Sequence, residues 1–204
     1  MSDRKQHWEQ VYTDKSPLDV SWYQQEPTIS QRLIQDSVSD RNQPVLDVGG
    51  GASVLVDRLQ ERGFTNLSVL DISANALEHA KQRLGQASDQ IEWYACDVTE
   101  FSPPHQYACW HDRAVFHFLT DADDRKKYVR RLTEALQPES YLVLAAFAIG
   151  GPTMCSGLDI VQYSAEKLGQ ELGDNFKFLE EVDEVHITPA QKEQLFCYYR
   201  FVRK

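Results

Sequence analysis

The chain has no apolar run approaching the roughly 20 residues of a membrane span. The segment Met1-Ser2-Asp3-Arg4-Lys5-Gln6-His7 contains no apolar stretch of the kind a secretory signal needs. Its four cysteines, Cys96, Cys109, Cys155 and Cys197, show no C-x-x-C spacing, which disfavours a zinc or disulfide framework, so no metal site is expected. Positive charge is also short, with 21 Lys and Arg against 31 Asp and Glu, a formal net charge of −10. Nucleic-acid affinity rests largely on basic contacts to phosphate, so a nucleic-acid partner is disfavoured. Low-complexity stretches are absent, and 204 residues suffice for one full core. The expectation is a single cytoplasmic domain over 1–204, with no membrane partner and an oligomeric state the sequence leaves open.

What is present is a strand-helix alternation from residue 44 onward, the pattern of an α/β sheet. Strands are expected near 44–49, 66–71, 91–95, 107–112 and 140–147, with helices near 53–62, 74–84 and 122–136. Thr120 is the expected N-cap of the last helix and Pro138 marks its end. A helix near 165–172 precedes two strands, 176–187 and 194–203, close enough in sequence to form an antiparallel hairpin. Residues 1–43 stand apart as an aromatic-rich arm (Trp8, Tyr12, Trp22, Tyr23) and a helix near 27–38 behind Pro27. Trp22 and Tyr23 fit a lid over a ligand, whereas Trp8 fits a lid and simple packing equally.

The most informative segment is Val45-Leu46-Asp47-Val48-Gly49-Gly50-Gly51-Ala52-Ser53, followed by Leu67-Ser68-Val69-Leu70-Asp71. A strand, a glycine turn, a helix and a second strand tipped by an acid make a nucleotide-ribose site, the acid accepting both ribose hydroxyls. Val54 stands where the dinucleotide fingerprint wants its third glycine. Asp47 would repel a pyrophosphate yet suits a cationic ligand, so the pattern points away from NAD.

This Asp-x-Gly-x-Gly-x-Ser pattern resembles class I S-adenosylmethionine (SAM)-dependent methyltransferases. Ile91–Val98 looks like that family's third strand with its acid, Asp97, and Asp71-Ile72-Ser73 is similar to its second-strand exit. The resemblance implies a Rossmann-like, doubly wound sheet of seven mostly parallel strands in order 3-2-1-4-5-7-6, closed by an antiparallel C-terminal hairpin, with residues 44–204 as the SAM-binding core. It implies S-adenosyl-L-methionine as cofactor and S-adenosyl-L-homocysteine (SAH) as product. Cofactor contacts are then expected from Trp22, Asp47, Gly49, Gly50, Gly51, Asp71, Ile72, Asp97, Val98 and His111. On the acceptor side, His111, Asp112 and Arg113, at the exit of the fourth strand, are the candidate catalytic residues; His117 fits either a functional role or a helix surface. Asp71 is expected to face a wet crevice. The glycine-rich loop 150–158 should cover the acceptor, with Cys155 inert. A small-molecule acceptor suits the short arm; a protein lysine is the alternative, and a non-catalytic SAM-binding protein the alternative of another class.

Overall fold

A computed structural model describes residues 3–204; Met1 and Ser2 of the expected arm lie outside the described residues. The elements are α1 (Asp3–Asp14), α2 (Thr28–Ser37), β1 (Val45–Val48), α3 (Leu55–Glu61), β2 (Leu67–Asp71), α4 (Ala74–Leu84), β3 (Ile91–Ala95), β4 (Tyr107–Arg113), α5 (Ala122–Ala135), β5 (Leu136–Phe147), β6 (Met154–Cys155), β7 (Leu158–Asp159), α6 (Ala165–Leu172), β8 (Phe176–Ile187) and β9 (Glu193–Arg203). Seven strands form one sheet in the order β3-β2-β1-β4-β5-β9-β8. β1 to β5 run parallel, while β9 is antiparallel to both β5 and β8. This is the expected order, the last two sheet strands being the C-terminal hairpin.

Strand burial on both faces explains why β1 and β2 read as continuous apolar runs rather than alternating ones. Leu46 and Val48 join Trp110, Tyr128, Leu132 and Leu168 in a core beneath α5 and α6. Val45 and Val69 point the other way, to Leu33, Ile34, Leu59 and Leu77 of α2, α3 and α4. Strand order reverses between β1 and β4, and the crevice beyond the carboxyl ends of the strands at that reversal is where open α/β sheets bind ligands. No helix among the described residues is long and apolar enough to cross a membrane.

Several local expectations are corrected. The N-cap of α5 is Asp121, whose carboxylate accepts from the backbone N–H groups of Asp123 (2.8 Å) and Asp124 (3.3 Å). Thr120 instead follows the 3₁₀ turn Phe116–Phe118, its N–H donating to the Phe118 carbonyl at 3.0 Å. β5 begins at Leu136, directly after α5, and its pairing with β4 shifts register near Tyr107, with Glu139 at φ 66°. The segment 3–14 of the arm is a regular helix, α1. Within the loop 150–158, Met154–Cys155 pairs with Leu158–Asp159 as a small hairpin turned by Ser156 and Gly157, both at positive φ.

Candidate active site

The glycine turn leaves β1 with Gly49 at φ 69° and Gly51 at φ 37°, values that side chains other than glycine's adopt at a cost. The Gly49 N–H donates to the Leu70 carbonyl at 2.7 Å, which pins the turn to β2. A Cβ on Gly49 would overlap the Val115 side chain, and one on Gly51 would sit 2.6 Å from Asp71 Oδ2. The turn is therefore packed between the tip of β2 and the segment after β4.

Asp71, at the end of β2, is only 7% exposed, so the expected wet crevice is in fact dry at this carboxylate. Burial, then the charges of Asp47 and Glu9, push its pKa up to about 7, although the Ser73 and Ile72 N–H groups oppose the shift. Past β3, Asp97 Oδ1 accepts from the Thr99 N–H (2.9 Å) and hydroxyl (2.8 Å), while Oδ2 receives Arg4 Nη1 at 3.0 Å.

Asp47 and His111 are neighbours in the β1–β4 register. His111 Nδ1 lies 2.7 Å from Asp47 Oδ1 and Nε2 lies 2.9 Å from Ser30 Oγ. A carboxylate only accepts, so Nδ1 donates to Asp47, and the Ser30 hydroxyl, which both donates and accepts, pairs with Nε2. Asp112 is wholly buried and turned from the crevice: it accepts from the Val115 N–H (2.9 Å), the Phe116 N–H (3.1 Å) and the Tyr128 hydroxyl (2.6 Å). Tyr128 in turn accepts from Trp110 Nε1 at 2.9 Å. Arg113 is spread over three partners: Nε donates to the Tyr198 hydroxyl (2.8 Å), Nη1 to the Trp22 carbonyl (2.9 Å) and Nη2 to Glu184 (3.3 Å). His117 is buried against Phe147, with neither ring nitrogen bonded to protein, and burial followed by the Arg113 charge pushes its pKa down to about 3.

The arm closes this region from above. Glu9 accepts from the Ser73 hydroxyl (2.8 Å) and from the N–H groups of Ala74 (2.9 Å) and Asn75 (3.1 Å), sealing the first turn of α4. Burial opposes ionisation of Glu9, yet these bonds hold its pKa below the usual carboxylate value. Arg4 bridges Asp97 and Asp124. Trp8 meets Trp22 and Phe118 edge-on at 5.6 and 5.0 Å between centroids. Sequence reasoning missed Arg4 and Glu9; the only signal was two aromatics four residues apart, Trp8 and Tyr12, on an otherwise polar stretch.

Beneath α1 lies a cleft of about 700 Å³, its open mouth included, lined by Arg4, Trp8 and Tyr12 from above and by Gly49, Asp71, Ile72, Asp97 and Val98 from the strand ends. Arg113, Ala114, Phe118 and Cys155 line its far end. A second chamber adjoins it, lined by Ser30, Asp47, Gly50 and His111, and shares Tyr12, Trp22, Gly49 and Arg113 with the first. Of the sequence-predicted residues, Trp22, Asp47, Gly49, Gly50, Asp71, Ile72, Asp97, Val98, His111 and Arg113 line one or both chambers; Gly51 stands behind Asp71, and Asp112 lies in the core. Among the described residues, no group of three or more His, Cys, Asp or Glu is placed to hold a metal ion.

A family described as a methyltransferase domain matches residues 45–139, the stretch that carries this turn and both acids. That match covers just under half of the chain, and over it the chain is similar to methyltransferase domains. It is 30% identical over 102 residues to zebrafish (Danio rerio) N-terminal Xaa-Pro-Lys N-methyltransferase 1, covering 48% of this chain and 45% of that protein. Human EEF1A lysine methyltransferase 2 is 25% identical over 198 residues, 87% of this chain and 76% of the relative. The chain thus spans about half the length of several curated relatives it matches. In fold it is similar to the N-methyltransferase NodS from Bradyrhizobium japonicum, solved with SAH, at a TM-score of 0.75 and 19% identity over 99% of both chains.

The cleft fits SAM on its own evidence. A Cβ on Gly49 or Gly51 would be driven into neighbouring side chains, and Asp71 is a desolvated carboxylate at its wall.

Proposed function

We propose that this protein transfers a methyl group from SAM to a small-molecule acceptor. The observation that carries this reading is the alignment of the glycine turn, Asp71 and Asp97 along one aromatic-roofed cleft at the point where strand order reverses. When bound, SAM supplies an electrophilic methyl group on a sulfonium, open to in-line displacement by a nucleophile. Asp71 accepts the two ribose hydroxyls, and Asp97 and Val98 hold the adenine edge. Gly49 and Gly50 let the backbone approach the methionine portion, and Asp47, oriented by His111, sets a negative charge beside its ammonium. Trp8, Tyr12 and Trp22 exclude water, which keeps the acceptor lone pair rather than solvent on the methyl group.

Calorimetry or a thermal shift with SAH tests the reading. A ligand at 100 times its dissociation constant stabilises the native state by about 2.7 kcal/mol, and no shift at millimolar SAH removes the proposal. The second reading, a protein lysine acceptor, is favoured by the relative named for lysine methylation, which aligns along 87% of this chain. Cell extract incubated with labelled SAM separates the two: label in a discrete protein band supports the lysine reading, and label in the low-mass fraction supports the small molecule.

A further inference from the structure

The far end of the cleft differs in chemistry from the end beneath β1, β2 and β3. Both carboxylates on the cleft wall, Asp71 and Asp97, belong to the β2 and β3 side. The end beyond β4 is formed by Trp22, Arg113, Ala114, Phe118 and Cys155, backed by Phe147 and Phe196. Arg113 is the fixed cation of that end; its three recorded bonds engage three of its five N–H groups, and its guanidinium lies 4.3 Å from the Phe196 ring centroid. Trp22 and Arg113 also face the second chamber, whose Asp47 and His111 are bonded to each other, and the buried His117 packs against Phe118 and Phe147 but lines neither chamber. His111 is committed to Asp47 and Ser30, Asp112 to the core, His186 to the Ser21 carbonyl at 2.8 Å, and Glu184 stands behind Arg113 and Tyr198.

An alkylammonium group entering this end would lose its water and meet a guanidinium, with Asp47 and His111 already bonded to each other and Glu184 to Arg113. At neutral pH only about one amine in a few thousand is already unprotonated. A thiol needs no such help: a few per cent is thiolate at pH 7 and thiolate is intrinsically nucleophilic. A sulfur atom is also polarizable and packs well against ring edges, and its charge is met by Arg113.

Resting on the methyltransferase reading, we propose that the acceptor is a small thiol, methylated as the thiolate between Trp22, Phe118 and Arg113. The thiol proton leaves to solvent before the transfer. The acceptor sulfur then donates an electron pair to form a new S–CH3 bond while the old sulfonium–methyl bond breaks, its pair staying on the departing sulfur as a neutral thioether. Cys155 does not compete, because burial pushes its thiol up to about 11 and keeps it protonated.

Two measurements test this. SAH-loaded protein is titrated with benzyl mercaptan and with benzylamine, a pair of matched shape, and followed by quenching of tryptophan fluorescence. The thiol is expected to bind at least tenfold tighter; equal or tighter binding of the amine, or binding of neither, overturns the proposal. At saturating SAM, kcat/KM for a series of thiols is then measured against pH. It should rise tenfold per pH unit and level off at each thiol's own pKa. An inflection common to all thiols, set by a group of the protein such as Asp71, Tyr12 or Cys155, overturns it, as does faster turnover of amines or alcohols. Failure of the cofactor reading is separate, because it shows as absent SAH binding in calorimetry before any acceptor is added.

Discussion

On the proposed reading, Asp71 gives cofactor binding a dependence on pH that a solvated carboxylate would not have. With a pKa of about 7 in the ligand-free protein, roughly nine-tenths of Asp71 is ionised at pH 8 and one-tenth at pH 6. Ribose hydroxyls donate, so the ionised form is the one that binds. The SAH dissociation constant should therefore be about tenfold weaker at pH 6 than at pH 8, with a proton released on binding near neutrality. Asp71→Asn keeps one acceptor and the shape but loses the charge. Losing about 2 kcal/mol of charge-assisted hydrogen bonding weakens binding by about thirtyfold at pH 8, and the variant's affinity should be flat from pH 6 to 8. Asp71→Ala, which keeps no acceptor, should lose a hundredfold or more. The stability effect has the opposite sense. The native state holds this proton more tightly than the unfolded chain, whose ordinary value is 3.8, so the contribution of Asp71 to stability is fully present below pH 4 and is lost as pH rises through 7. Asp71→Asn should thus be more stable than the native protein at pH 8, by at most something on the order of 4 kcal/mol, and melt higher, with the gap closing towards pH 4. Isothermal calorimetry in buffers of different ionisation enthalpy, with melting curves on both proteins, reads all of this. Parallel pH profiles for the native protein and Asp71→Asn would refute it.

Glu9→Gln removes the charge from the carboxylate that seals α4. It should cost about 1 kcal/mol in melting experiments and speed SAH release severalfold in stopped-flow chases by loosening α1. Asp112→Ala strands two backbone N–H groups and the Tyr128 hydroxyl in the core; at about 1–3 kcal/mol each, the melting temperature should fall by on the order of 10 °C or more, with Asp112→Asn milder. A drop in turnover with unchanged melting would instead make Asp112 a reacting group. Gly51→Ala places a methyl group 2.6 Å from Asp71 Oδ2 at a positive φ and should weaken SAH binding more than tenfold by calorimetry.

Legibility followed the reach of each interaction. The central parallel strands were readable because β1, β2 and β4 are short, largely apolar runs buried on both faces, and the C-terminal hairpin because Thr188-Pro189-Ala190-Gln191 marks its turn. The glycine turn and Asp71 were readable for a related reason: a positive φ and a strand-end acid are local requirements that leave a local mark. The cap of α5 was misassigned by one residue because Thr120 and Asp121 are both good caps, and it is the Asp121 carboxylate that reaches the first N–H groups of the helix. α1 escaped notice because only Trp8, Val11 and Tyr12 give it an apolar side; contacts with α4 and the cleft, not its own periodicity, hold it in place.

The segment after β4 shows where a one-dimensional reading must stop. His111, Asp112 and Arg113 are consecutive, chemically rich and equally plausible from the sequence, yet alternation along a strand sends successive side chains to opposite faces. His111 turns to Asp47 and Ser30, on the face that carries α2; Asp112 turns to Tyr128 on α5. Arg113, the last residue of β4, reaches Tyr198, Glu184 and the Trp22 carbonyl of the arm. Three neighbours thus serve three different parts of the molecule: one orients the acid before the glycine turn, one knits the post-strand turn to α5, and one lines the cleft. That division depends on partners 16 to 91 residues away, and it follows that substitutions at the three positions should fail in three distinguishable ways: through cofactor affinity at His111, through melting at Asp112, and through acceptor KM at Arg113.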